Sequence, residues 1–143
     1  MPEEDRNLEP AKEAARIEAG VTEDERLAAE VRNSTPRPVE VDVPLDREEL
    51  GFATRKSVLV EEAGSPEVFG GDLVVTDRRL VVHGPIRSLE IPLDDISEMA
   101  AVGAAVLQIT LTVGRGVALQ VDRPRMLRAQ IQAVRRSGAV RQP

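Results

Sequence analysis

Between residues 51 and 121 the apolar residues come in short runs, each broken after a few positions by Gly, Pro, Asp or Ser. Evenly punctuated runs of this length predict an all-β body of several short strands. The runs consist of Val, Leu and Ile, and Phe52 and Phe69 are the only aromatic residues in the chain. The core must therefore come from branched aliphatic side chains, which suit a pleated sheet.

The spacing places strands at 54–61, 72–76, 79–83, 88–91, 96–102, 105–113 and 117–121. A short extended piece is expected around Val68, with a break at Gly70 and Gly71. Residues 96–102 are open to a second reading, because Glu98 to Ala101 also tolerate a helical turn. Gly114, Arg115 and Gly116 join the last two runs and form the clearest hairpin signal, since Gly accepts positive φ. A helix over about 123–136 follows. Asp122 is positioned to cap it, Pro124 falls in its first turn, and Leu127, Ile131 and Val134 share one face. Gly138 is expected to stop it. Such a helix can cover the open mouth of a barrel that its own side chains cannot fill.

The first third differs in kind. Residues 1–50 carry 15 acidic and 7 basic side chains, whereas residues 51–143 carry 10 and 12. Ala11, Ala14, Ala15 and Ile17 give a thin helical stripe that Gly20 should interrupt. Thr22 and Glu25 then offer a capping box for a second short helix through Leu27, Ala28 and Val31. Neither segment is long enough to be stable unless it docks on something. Three prolines within 33–44 exclude a helix interior and predict an extended linker, in which Val39, Val41 and Val43 fit an edge strand ended by Pro44. The expected organisation is an acidic, weakly helical arm with its linker at 1–44 and a β domain with its helix at 45–143.

One stretch is recognisable. Gly71-Asp72-Leu73-Val74-Val75-Thr76-Asp77-Arg78-Arg79-Leu80 resembles the G-x-L-x-x-T-x-x-R-L pattern of bacterial pleckstrin-homology-like and GRAM-type domains, and Ile91-Pro92-Leu93-Asp94-Asp95-Ile96 resembles the I-P-L-x-x-I segment that follows it there. The resemblance covers roughly residues 50–137. It implies a barrel or sandwich of about seven antiparallel strands capped by one C-terminal helix, and a binding module with no reaction and no cofactor. Within the motif, Leu73, Val75, Leu80 and Val82 alternate on two strands and can face inward together. Thr76 and Asp77 suit the turn, and Arg79 either anchors that turn or meets a ligand.

Composition narrows the chemistry. There is no cysteine and one histidine, His83, so thiolate catalysis, disulfides and Cys- or His-rich metal sites have no residues to use. His83 reads as a strand-end histidine, and Asp94, Asp95 and Glu98 read as a solvated turn without calcium-loop spacing. The glycine pairs lack the Lys-Ser/Thr of a phosphate loop. No run of about 18 apolar residues predicts a membrane span, and the acidic start lacks the features of an export signal; a cytoplasmic protein is expected. Acidic residues at 61, 62 and 67 crowd the first hairpin, where an inositol phosphate would need cations. The missing stacking aromatics and the net charge of −6 argue against nucleic acid.

Two functions follow. The first is a protein-interaction or self-assembly module, in which the acidic arm meets the basic final helix of its own or a neighbouring chain. The second is peripheral binding to anionic lipid. Arg55, Arg78, Arg79, Arg125 and Arg128 are the candidate contacts for a partner or an anion in either case.

Overall fold

The computed structural model describes the backbone of residues 2–141 and the side chains of residues 10–137. Helix α1 spans Pro2–Arg32. Seven strands follow: β1 Gly51–Glu62, β2 Val68–Thr76, β3 Arg79–His83, β4 Ser88–Pro92, β5 Ile96–Val102, β6 Val106–Leu111 and β7 Val117–Gln120. A single 3-10 turn, Leu93–Asp95, joins β4 to β5, and helix α2 covers Pro124–Arg141. The strands form one antiparallel sheet in the order β4-β3-β2-β1-β7-β6-β5. The sequence reading of a mainly β body with about seven antiparallel strands and a terminal helix therefore holds, and residues 96–102 are strand.

The sheet wraps one core. Val58 and Val60 of β1, Leu73 and Val75 of β2, Leu80 and Val82 of β3, Leu107 of β6 and Leu119 of β7 are fully shielded from solvent, together with Leu127 and Ile131 of α2. Ile91 and Ile96, from the two end strands, join the same cluster, as does Val134. The inward alternation expected for Leu73, Val75, Leu80 and Val82 is what buries them. β1 changes parity at a bulge between Arg55 and Val58, where Ser57 adopts φ of +55°. Asp72 steadies that bulge by accepting from the Ser57 amide at 3.2 Å, and this bond holds its carboxyl below the ordinary range.

Glycines are read differently by the fold than by local pattern. Gly70 and Gly71 do not break β2 but lie inside it, paired with Leu59 and Val58 of β1. A Cβ at Gly71 would lie 2.6 Å from the His83 carbonyl oxygen, so glycine lets two backbones approach where a side chain cannot fit. Gly20 does not divide α1, and Gly138 does not end α2. One glycine costs a helix only about 1 kcal/mol, which neighbouring turns can absorb. Thr22 accordingly sits in mid-helix and no second helix begins there. The linker is not an edge strand either. Only Val39 bridges, its amide donating to the Gly51 carbonyl at 2.8 Å.

α2 is covered on two sides. Leu127, Ile131 and Val134 face the sheet, while Ala129 and Ala133 are also buried, because the last turns of α1 lie along it. The two helices run side by side in the same direction, with Asp24 beside Arg125 and Ala28 beside Ala129. Small residues at 28, 129 and 133 permit that close packing.

Candidate binding groove

The five arginines singled out in the sequence are dispersed. Arg55 points inward beneath α2 and is 7% exposed. Its guanidinium donates to the carbonyls of Asp122 at 3.1 Å and Thr54 at 2.8 Å and to Gln130 Oε1 at 2.9 Å. Burial lowers its pKa, the positive charge of Arg123 adds to this, and Asp122 and Asp24 oppose it. Arg55 thus ties α2 to β1.

Arg79 lies at the β2–β3 turn, where its Nε and one terminal nitrogen clasp Glu49 at 2.8 and 2.9 Å and the other reaches Glu90 at 3.0 Å. The Glu49 side chain is fully shielded. It also accepts from the Thr76 hydroxyl at 2.6 Å and the Asp46 amide at 2.8 Å. Four donors on one carboxylate, Arg79 foremost, hold its pKa down to about 2 against the opposing effect of burial. Thr76 also receives the amides of Arg78 and Arg79, at 3.1 and 3.0 Å. Arg78 is exposed and donates to the Arg47 carbonyl at 3.0 Å.

Arg125 and Arg128, by contrast, come together. They project from the first two turns of α2 into a groove of about 410 Å³, lined also by Glu25, Ala28 and Arg32 of α1, Ala101 of β5, and Ala129 and Gln132 of α2. Ala28 and Ala129 are closed against each other behind it, so its accessible lining is largely Glu25, Arg32, Arg128 and Gln132, with Ala101 half-buried. Arg125 is held in place by Asp24 and by the Gly103 carbonyl, 2.8 Å from its guanidinium. Arg32 and Arg128 are exposed, and among the described residues neither forms an ion pair. They present two guanidiniums to solvent.

Asp24 builds this groove, and local pattern does not reveal it. Its carboxylate, 2% exposed, accepts the backbone amides of Arg125 at 2.8 Å and Met126 at 2.9 Å. These are the second and third residues of α2, the donors that an N-cap side chain ordinarily satisfies. Asp122, the cap expected from sequence, does not serve. Arg123 turns through φ of +53° and directs the Asp122 carboxylate outward, onto the Arg123 side chain at 3.1 Å. A residue from the first helix therefore caps the last one and fixes the angle between them.

The remaining chemistry is sparse. Among the described residues no three His, Asp or Glu side chains gather to hold a metal, and exposed His83 hydrogen-bonds only Ser88, at 3.3 Å. At the first hairpin, Glu62 engages Arg87 at 2.6 Å, and the Arg87 guanidinium lies 4.7 Å from the centre of the Phe69 ring. Among the described residues no helix is long and apolar enough to cross a membrane.

No family model and no curated protein sequence matches this chain. Solved structures do. The N-terminal PH domain of Vps36 superposes with a TM-score of 0.53 at 15% identity, covering 74% of this chain and 97% of that one. The chain has a PH-like fold. The C-terminal domain of an unknown protein from Leishmania infantum is similar at a TM-score of 0.51 and 13% identity, over 62% of this chain and 86% of that one. At such identities the likeness concerns architecture alone. The Arg-rimmed groove is built in part by this chain's first helix, α1.

Proposed function

We propose that the chain is a non-catalytic protein-binding module whose docking face is the groove between α1, α2 and β5. The observation that carries this reading is the pair Arg32 and Arg128, both exposed, on one groove and without an acidic partner among the described residues. Guanidiniums select carboxylates by paired hydrogen bonds. A partner segment with closely spaced acidic side chains matches that pair. The resemblance of residues 71–80 to bacterial PH-like and GRAM-type domains is consistent with a binding role.

The test is titration of the full chain with a labelled, acidic, alanine-rich helical peptide, followed by fluorescence anisotropy. Saturable, salt-sensitive binding is expected, weakened at least about tenfold by the double change Arg32→Glu and Arg128→Glu, since like charges facing each other cost several-fold in affinity at each contact. Equal binding by wild type and variant refutes the groove as the site. Sedimentation with anionic vesicles that depends on the same two arginines transfers the groove to lipid instead.

A further inference from the structure

α1 is far longer than its contact with the body requires. At 31 residues it extends about 46 Å, yet every side chain from residue 10 to residue 20 is exposed, and among the described side chains the first buried one is that of Asp24. The tip of the helix therefore projects past the start of α2. Ala14 and Ile17 continue, at steps of three and four, the stripe formed by Val21, Asp24, Ala28 and Val31, and Ile17 is 47% exposed with no partner surface among the described residues. Residues 2–20 carry six acidic and three basic side chains. The full length of α2 carries five arginines and no acid.

We propose that the occupant of the groove is the projecting half of α1 from a second copy of this chain. The inference rests on the groove reading above and supplies its partner. The tip offers carboxylates to Arg32 and Arg128, from Glu18 and from Glu13, which its own Arg16 approaches at 3.6 Å on the surface, and it carries the half-exposed Ile17 beside them. α1 is one continuous helix bound alongside its own α2, so its tip cannot fold back into its own groove. Two copies each placing a tip in the other's groove close a two-fold dimer with the same contact made twice, and no sticky surface is left over.

A charge swap decides the matter. Sedimentation velocity of the full chain is expected to show a concentration-dependent dimer at low salt that dissociates at high salt. The tip-reversed chain, Glu13→Lys with Glu18→Lys, and the groove-reversed chain, Arg32→Glu with Arg128→Glu, should each be monomeric, with circular dichroism unchanged because all four positions are exposed. Mixed together, they should form a heterodimer, since each of its two contacts again pairs opposite charges. A wild-type chain that stays monomeric at high concentration and low salt overturns the proposal, and so does a wild-type dimer whose reversed forms fail to recombine. If the chain is monomeric but still binds the acidic peptide through Arg32 and Arg128, only the self-partner falls. If it does neither, the groove reading falls as well.

Discussion

Two buried carboxylates do most of the polar organisation, and they respond differently to mutation. Glu49 is ionised, shielded and met by four donors, with its pKa lowered from near 4.5 to about 2. A depressed acid contributes stability that is fully present above its unfolded pKa and lost as pH falls through the folded value. Acid titration of unfolding should therefore show stability falling between about pH 4.5 and pH 2. Glu49→Gln should lose much of that slope and, at neutral pH, about 3 kcal/mol, because it leaves Arg79 without its charge partner. An unchanged acid profile in that variant would remove Glu49 from the account. Asp24 instead acts mainly on backbone, satisfying two amides of α2 at 2.8 and 2.9 Å, with the Arg125 guanidinium more distant at 3.5 Å. Asp24→Ala should cost about 1–2 kcal/mol in chemical denaturation, and hydrogen exchange should speed up at Arg125 and Met126 first. Neither residue stands out in the sequence. Glu49 sits beside Asp46, Arg47 and Glu48 in a stretch that reads as a solvated turn, and Asp24 lies between two glutamates on a polar helix. What marks each of them is a partner 30 or 101 residues away, which no local window contains.

At the level of helices and strands, what could be read from the sequence was whatever depends on period. Alternation in 72–76 and 79–83 located β2 and β3, and the i, i+4, i+7 spacing of Leu127, Ile131 and Val134 located the face of α2 against the core. Truncating Leu127 to Ala should cost about 2–5 kcal/mol, since the side chain is wholly enclosed and its removal leaves a cavity; thermal unfolding measures this. Punctuation was less legible than period. Glycine marks both the end of an element and the place where two backbones must touch, and Gly71 belongs to the second class. Gly20 belongs to neither, since a Cβ there would meet nothing within 4 Å. Gly20→Ala should accordingly raise the stability of α1 by roughly 0.5–1 kcal/mol, seen as slower exchange of the amides around it. The groove itself was half legible: Arg125 and Arg128 came from the charge of the last helix, but Arg32 was reachable only once α1 was known to lie beside α2.

Taken whole, the molecule is three layers: a curled sheet, a helix that seals it, and an outer helix that covers the seal. Deleting residues 1–32 should lower the melting temperature by roughly 5 °C or more, through the lost cap and the uncovering of Ala129 and Ala133, and should raise binding of a hydrophobic dye. Identical melting of the two forms would show that the outer layer is not part of the cooperative unit. The same arrangement dictates an order of events during synthesis. The carboxylate that closes α2 leaves the ribosome 101 residues ahead of the amides it serves. Until those amides emerge, α1 has no α2 to anchor on. Docking of α1 is thus postponed until the distal segment emerges, because the contact joins parts of the chain 101 residues apart.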